Sequence, residues 1–259
     1  MKKIIPYFLI IITLVLMIVL LLDKKDTENI ALTINTNYTY LYTNEEDLIK
    51  IKIYYNNDKN YLTNINYIQA VKIKSKDNFM YLDLVKINYL DVEYYQNKTY
   101  YLYEYHFKMP NLTDNLFFIN SELEFILHNN DTYNLYIGNL NLLYLDNYSY
   151  LNWQSLEGKK DNDNDLYLSK IIVKIEENIE INKIYSFKYN ELDFEIKNDL
   201  LTINLNLKDQ HFNNIPIIIE SNNNYYIIPN YQYTIEYNVL EKAGRLLNVK
   251  YFSWTRKCY

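Results

Sequence analysis

Hydrophobic and polar residues alternate along most of the chain after its first thirty residues. Leu201, Ile203 and Leu205 alternate with Thr202 and Asn204. This period of two sends one set of side chains to a core and the other to water, as in a half-buried β-strand. Further runs of this kind occur at Ile49/Ile51/Ile53, Val71/Ile73, Leu82/Leu84, Leu123/Phe125/Leu127, Val173/Ile175, Leu192/Phe194/Ile196 and Ile235/Tyr237/Val239.

Clusters of Asn and Asp separate these runs. The chain has 38 Asn, but only 3 Gly and 4 Pro. Asn and Asp tolerate left-handed backbone and bond to their own main chain, so we expect them to form the turns that Gly usually forms. Many short strands with regular turn signals predict an all-β fold of antiparallel sandwiches. The bias towards Asn, Lys, Ile and Tyr is typical of an AT-rich genome and favours a bacterial origin.

The N-terminus carries a different pattern. Residues 4–22 contain no charge and follow Met1, Lys2 and Lys3. A helix of about 20 apolar residues can cross a membrane, so residues 1–26 are predicted to be a transmembrane anchor. A cleaved signal peptide is the alternative; it usually has a shorter apolar region and small residues at the cleavage site, and the run here ends in Leu22-Asp23. We expect the N-terminus inside the cell membrane and the remaining chain outside.

The longest stretch with almost no apolar residue lies at 155–165. It divides the remaining chain into segments of immunoglobulin-domain size. The sequence therefore predicts two immunoglobulin-like β-sandwich domains, at 27–154 and 166–259, joined by a polar linker at 155–165. One continuous domain with a long loop is the alternative, because β-sandwiches can exceed 200 residues.

The segment 239–247 has two interpretations. Val239, Leu240 and Ala243 have helical spacing, but Gly244 interrupts it and the flanks alternate as strands. A hairpin with Gly244 at positive φ fits those flanks, and a short helix containing Gly is marginal alone. The hairpin is the favoured prediction.

One acidic run resembles a cation-binding loop. Asp161, Asp163 and Asp165 alternate with Asn, and alternating carboxylates can converge on Ca²⁺. An EF-hand loop requires Gly at its sixth position and Glu at its twelfth; here these positions are Leu166 and Ile172. We therefore favour a solvated linker and keep the three Asp residues as a weak metal candidate.

Aromatic residues occupy one face of another predicted strand, at Tyr101, Tyr103, Tyr105 and Phe107. An exposed row of rings could stack on sugars or on a partner chain. The favoured interpretation is a core or half-buried sheet face, since aromatic residues on strands usually pack across the sheet. The two Trp residues, which mark sugar platforms more sharply, belong to no recognisable motif.

The sequence offers no catalytic motif. Its three His are scattered, its one Cys is Cys258, and it contains no nucleophile, zinc or phosphate-loop signature. We therefore predict no catalytic residue and no cofactor. The lone Cys also excludes an intrachain disulfide. After residue 22 the net charge is −8, because two of the 26 basic residues precede it while all 32 acidic residues follow. Nucleic-acid binding is disfavoured by this charge.

These observations favour a single-pass, membrane-anchored protein with a non-catalytic ectodomain. Its predicted role is binding, adhesion or service as an accessory subunit of an envelope complex. The expected partners are the bilayer, through residues 4–22, and a protein or cell-wall polymer. An envelope glycan hydrolase with carboxylates on loops is the alternative, and a concave pocket with convergent acids would distinguish it.

Overall fold

A computed structural model describes residues 28–44, 47–163, 165, 167–175, 179–186, 191–205, 211–212, 214–222, 224–232, 239–245 and 249–254. This part of the chain contains nineteen strands, two 3-10 turns and one α-helix, so the all-β prediction is confirmed. The predicted transmembrane helix at residues 4–22 lies outside the described residues. No helix within them is long and apolar enough to cross a membrane.

Two facing sheets form the first sandwich. Sheet I contains, in spatial order, β19 (Val249–Trp254), β1 (Asn29–Ile34), β3 (Leu48–Tyr55), β7 (Lys98–Lys108) and β6 (Leu84–Tyr95). Sheet II contains β16 (His211–Phe212), β2 (Thr36–Leu41), β9 (Thr132–Leu143), β8 (Leu116–Leu127), β4 (Ile68–Lys74) and β5 (Phe79–Leu82). The 3-10 turns, Tyr61–Thr63 and Ile65–Tyr67, connect β3 to β4.

The second sandwich also has two sheets. Sheet III contains β10 (Tyr148–Tyr150), β18 (Asn224–Gln232), β17 (Asn214–Ser221) and β13 (Lys183–Tyr185). Sheet IV contains β11 (Trp153–Lys159), β12 (Lys170–Ile175), β15 (Leu200–Asn204) and β14 (Phe194–Lys197).

Both sandwiches have the strand order of an immunoglobulin domain. The orders β1-β3-β7-β6 and β11-β12-β15-β14 correspond to strands A, B, E and D of that fold. The orders β9-β8-β4 and β18-β17-β13 correspond to strands G, F and C. Three pairs are parallel, namely β2 with β9, β10 with β18 and β16 with β2. The described sheets are therefore mixed, and not purely antiparallel as the alternation predicted.

Alternation along the strands fills the two cores. In the first sandwich Ile49, Ile51 and Ile53 of β3 are fully buried and pack with aromatic rings such as Tyr105 and Phe125. In the second sandwich the buried cluster is aliphatic; its members are Leu151, Leu168, Ile171, Val173, Ile175, Ile184, Leu192, Leu201, Ile203, Leu205, Ile215, Ile217, Ile219 and Ile228. A smaller cluster joins the sandwiches, where Leu41 and Leu143 pack with Ile218 and Ile227.

The predicted domain boundaries need correction. Residues 153–159 form β11 and pair with β12. Residues 155–159 of the predicted 155–165 linker therefore belong to sheet IV. At the other end, β19 pairs with β1 over its whole length, which places residues 249–254 in the first sandwich and not in a second domain. β1 and β19 lie far apart in sequence, and a local minimum of hydrophobicity carries no information about their pairing. Whether the sandwiches are separately folding domains stays a prediction.

The hairpin predicted around Gly244 is wrong. Val239–Arg245 is an α-helix, here α1. Leu240 and Ala243 are fully buried against the outer face of sheet I, in a cluster with Leu32 and Tyr54. Tertiary packing therefore stabilises a helix too short to be stable alone.

The prediction that Asn replaces Gly in turns is confirmed. Most non-Gly residues with positive φ in the described chain are Asn; they are Asn97, Asn120, Asn130, Asn147, Asn198 and Asn222, and Gln96 and Asp199 complete the set. Asn198 and Asp199 connect β14 to β15 with two successive positive φ angles, as a tight hairpin turn requires.

Candidate binding surface

Exposed apolar side chains concentrate on one edge of the first sandwich. Fourteen large hydrophobic residues are exposed in the described chain, and eight of them lie between residues 65 and 94. We call these eight the open-edge surface: Ile65, Tyr67, Phe79, Tyr81, Val85, Tyr89, Leu90 and Tyr94. Isolated exposed hydrophobic residues are common, whereas groups of them mark interaction sites; within this set Phe79 contacts Tyr81, and Ile65 and Tyr81 line one cleft.

The course of the chain explains why this edge is open. After β5 the chain leaves sheet II at Asp83 and enters sheet I as β6, so both strands are edge strands. On its β5 side, β4 is paired only from Val71 onwards. Ile68 is paired with β8 on the other side alone. The two sheets therefore separate at this edge without a strand between them.

Two shallow clefts lie along the open edge. One has a volume of about 370 Å³ and is lined by Ile65, Ile68, Tyr81 and Leu84 among others. The other, of about 210 Å³, is lined by Tyr81, Met109 and Pro110 among others. Both clefts share Tyr81, Leu82 and Asp83. Their linings combine apolar residues with polar ones such as Lys108 and Asn111, which suits side chains of a partner protein.

An aromatic pair on β5 lies beside a charged neighbour. The Phe79 and Tyr81 rings meet edge to face with centroids 6.4 Å apart. The Lys72 ammonium lies 5.8 Å from the Phe79 centroid and 6.0 Å from that of Tyr81. Lys72 forms an ion pair with Glu124, whose pKa is lowered chiefly by that hydrogen bond. The Lys72 ammonium thus lies within cation–π range of both rings, which are exposed.

Irregularities in β6 push two apolar side chains outwards. The pairing with β7 shifts register between Leu84 and Lys86 and again between Tyr89 and Asp91. Val85 and Leu90 are the extra residues, and both are exposed. Bulges in an edge strand discourage the addition of another strand. The open-edge surface is therefore suited to contacts between side chains.

The weak metal candidate does not form a convergent site. Asp161 and Asp163 are exposed in the connection between β11 and β12. Asp165 accepts hydrogen bonds from the backbone N–H of Asn162 at 2.9 Å and from its side-chain amide at 3.3 Å. The Asp165 carboxylate thus stabilises a turn. Across the described ranges, no group of three His, Cys, Asp or Glu side chains is placed to hold a metal ion.

The aromatic row on β7 faces the core. Tyr105 and Phe107 are fully buried, and Tyr101 and Tyr103 are half-buried. The Tyr105 hydroxyl lies 2.8 Å from that of Tyr55 and donates to the Leu62 carbonyl at 2.7 Å. Burial raises the pKa of Tyr105 well above its usual range. The interpretation of this row as a core or half-buried sheet face is confirmed.

The two Trp residues have different surroundings. Trp153 lies on edge strand β11 and is exposed. Trp254 on β19 is half-buried, with its ring centroid 5.3 Å from Tyr133 and 6.4 Å from Tyr61. Neither belongs to the open-edge surface.

Sequence reasoning missed the open-edge surface. Its residues alternate poorly, because each bulge in β6 changes which face of the sheet the following residues occupy. One signal in the sequence could have revealed it. Between Val85 and Tyr95, apolar residues occur on both faces of one strand, although a strand with a single buried face needs them on one face only.

Comparisons with known proteins add little. No family model matches the chain, and no curated protein sequence matches it. A structure titled "Structures of Clostridium thermocellum CbhA fibronectin(III)-like modules" covers 78% of this chain and 94% of its own, with 9% identity and a TM-score of 0.22. The "D00-D0 domain of Intimin" covers 80% and 100%, with 8% identity and a TM-score of 0.19. Scores this low do not show a shared overall arrangement, so the fold assignment rests on the strand order.

Proposed function

We propose that this chain is a non-catalytic binding protein of the cell envelope, whose first sandwich contacts a partner protein through the open-edge surface. The concentration of eight exposed hydrophobic side chains within residues 65–94 carries the proposal. Two of them, Ile65 and Tyr81, line clefts that can accept protruding side chains of a partner. The two immunoglobulin-type sandwiches act as the rigid support that positions this edge.

The residues that line the two clefts fit a binding role better than a glycan hydrolase. Glycoside hydrolysis requires two carboxyl groups that flank the scissile bond. Asp83 is the one carboxylate in the lining of either cleft, and it is shared by both. A glycan hydrolase remains the competing proposal. If the purified chain released sugars from envelope glycans and lost this activity on Asp83→Asn, the hydrolase would replace the binding protein.

The test of the binding proposal compares matched variants of the full chain in its native envelope. Phe79→Ser, Tyr81→Ser and Leu90→Ser together remove three side chains of the open-edge surface. Tyr150→Ser is the control, because Tyr150 is 52% exposed but lies on the second sandwich. After cross-linking and affinity capture, we expect one partner retained by the wild type and the control and lost from the triple variant. Equal retention by all three would contradict the proposal.

Membrane attachment is a separate part of the proposal. It is supported by the uncharged run at residues 4–22, which has the length of a membrane-crossing helix. We propose that the N-terminus lies inside and the sandwiches outside. Protease added to intact cells should then digest the sandwiches and leave a small membrane-bound fragment. Complete protection of the chain, or its release into the medium, would contradict this orientation or the anchor.

A further inference from the structure

One end of sheet I lies beside the start of the described chain. Asn29, the first residue of β1, pairs there with Trp254 of β19. Ala31 and Val92 share one row of paired residues across the sheet, and Asn29 and Tyr94 each lie two residues beyond that row in the same direction. We call the next row but one the end row; it consists of Trp254, Asn29, Thr99 and Tyr94.

Aromatic side chains at the end row are open to solvent. Tyr94 is 69% exposed, the highest value among the exposed large hydrophobic residues of the described chain, and Trp254 is half-buried. Tyr251 on β19 is 54% exposed. Partial desolvation, followed by the nearby Glu28 carboxylate, raises the pKa of Tyr251, so its hydroxyl group lies close to this end of the sheet. Tyr and Trp rings are amphipathic and accumulate where lipid head groups meet water.

The proposed anchor limits the distance between the end row and the bilayer. Six Cα–Cα steps lead from Leu22, the last residue of the uncharged run, to Glu28. A chain of that length spans at most about 20 Å in any conformation. The polar head-group region adds about 5–8 Å on each side of the hydrocarbon core. With residues 4–22 in the membrane, the end row is therefore within reach of the head groups.

The second sandwich is attached at the opposite end of the first. Leu41 and Leu143, the last residues of β2 and β9, belong to the cluster that joins the two sandwiches. Tyr40 bonds to Lys50 near the start of β3, whereas Asn29 lies beyond the last residue of that strand. An anchor that follows on from Glu28 therefore places the end row nearest to the bilayer and the second sandwich farthest from it.

We propose that the end row, together with Tyr251, lies in the head-group region of the phospholipid bilayer that holds the anchor. The proposal rests on the anchor proposed above. A short link to the anchor gives the end row an effective concentration of about millimolar at the bilayer, so weak contacts by a few rings are sufficient. Exposed charges at this end have both signs, as with Glu28 and Lys98, so the amphipathic rings and not a net charge make the contact.

Lipid contact and capture of the partner protein can be separated. Tyr94 is the one open-edge residue that belongs to the end row. Phe79, Tyr81 and Leu90, whose substitution tests partner capture, lie outside it. Loss of lipid contact in a Tyr94 variant would therefore leave the partner test with its own three residues.

The direct test uses the two Trp residues as reporters in the full chain, which is inserted through its anchor into phosphatidylcholine vesicles. Trp153→Phe leaves Trp254 as the only Trp, and Trp254→Phe leaves Trp153 on the second sandwich as the distant control. Part of the lipid carries a nitroxide quencher on its head group. We expect these nitroxides to reduce the emission of Trp254 about twofold or more, because interfacial rings lie at head-group level. The emission of Trp153 should be unchanged.

Matched variants in the Trp153→Phe chain decide whether the rings make the contact. The double variant Tyr94→Ser, Tyr251→Ser should regain at least about half of the quenched emission, since it removes two rings that favour the interface. The control is Tyr81→Ser, Tyr89→Ser, which removes two Tyr residues that are 60% and 54% exposed but lie outside the end row. This control should be quenched as strongly as the parent chain. Equal quenching of the two double variants would overturn the proposal.

Flotation of the vesicles separates failure of the contact from failure of the anchor. A chain that floats with the vesicles, but shows no more quenching of Trp254 than of Trp153, would overturn the lipid contact and leave the anchor standing. A chain that does not float would overturn both. In either case the capture of a partner protein through Phe79, Tyr81 and Leu90 would be unaffected.

Discussion

The two sandwiches share one strand order but fill it with different residues. The buried cluster of the first sandwich includes Tyr38, Tyr40, Tyr55 and Tyr105 together with several Phe rings. The buried cluster of the second sandwich consists entirely of Ile, Leu and Val. The same immunoglobulin-type topology therefore accommodates both an aromatic and an aliphatic core. Alternation and strand pairing determine this topology, and the identity of the hydrophobic residue does not.

The aromatic core contains buried Tyr hydroxyl groups that need hydrogen-bond partners, whereas the aliphatic core has none. The Tyr40 hydroxyl donates to the Lys50 carbonyl at 2.7 Å and accepts from the Lys50 N–H at 2.9 Å. This hydroxyl group therefore provides hydrogen-bond partners for the edge of β3 at Lys50, whereas β1 pairs with β3 only at Tyr54 and Tyr55. Burial raises the pKa of Tyr38, which accepts from the Lys52 N–H nearby, to about 12. The first sandwich thus depends on buried hydroxyl groups as well as on apolar area.

The largest expected effect comes from opening a cavity in the aromatic core. Phe125 is fully buried, and its ring centroid lies 5.3 Å from that of Tyr105. Phe125→Ala should lower the free energy of unfolding by about 3–5 kcal/mol. Urea denaturation of the full chain, followed by near-ultraviolet circular dichroism of the buried Tyr residues, measures it. Ile217→Ala is the counterpart in the second sandwich and should shift this near-ultraviolet transition less. An equal shift would show that the two cores do not differ in their effect on this transition.

Removing one buried hydroxyl should have a smaller effect. Tyr40→Phe keeps the ring but leaves the Lys50 N–H and carbonyl without their partner. We expect a loss of about 1–3 kcal/mol in the free energy of unfolding, because buried polar groups without partners are costly. Tyr94→Phe on the exposed end of β6 is the matched control and should change stability by less than about 0.5 kcal/mol. Equal stability of the two variants would show that the hydroxyl network is dispensable.

The turns should behave alike in both sandwiches. Asn97 connects β6 to β7 with φ at 60°, and Asn198 connects β14 to β15 with φ at 50°. Asn→Ala at either position should cost about 1 kcal/mol, because Ala resists left-handed backbone. Asn→Gly should cost little. Thermal unfolding of the four variants checks this, and a loss confined to one sandwich would contradict the shared role of Asn.

The smallest expected effect is a change in pH dependence at α1. Glu93 accepts from the Leu240 N–H at 2.8 Å and from the Tyr54 hydroxyl at 3.1 Å, and burial is the main cause that raises its pKa. A carboxyl group with a raised pKa in the folded state stabilises below its unfolded pKa, and this contribution is lost as the pH rises through the folded value. Glu93→Gln should therefore reduce the decline in stability between mildly acidic and neutral pH. Parallel wild-type and variant profiles would assign the decline to other groups.

Local patterns in the sequence predicted much of the fold. The Ile49/Ile51/Ile53 alternation identified a buried strand face, and Asn-rich clusters identified turns. Long-range pairings were not predictable in this way. The pairing of β19 with β1 and the docking of α1 on sheet I depend on surfaces that no short window contains. The open-edge surface was not predicted either, because the bulges at Val85 and Leu90 interrupt the alternation on which strand prediction relies.

The pairing of Asn29 with Trp254 has a consequence for biosynthesis. Sheet I receives β19 only after the second sandwich has been translated, because β19 follows all of its strands in the chain. Until then β1 has one unpaired edge, and unpaired edges of nascent proteins are prone to aggregation. The first sandwich is therefore the first to begin folding and the last to be complete, and a ribosome that stalls between residues 232 and 249 would leave it with an open strand.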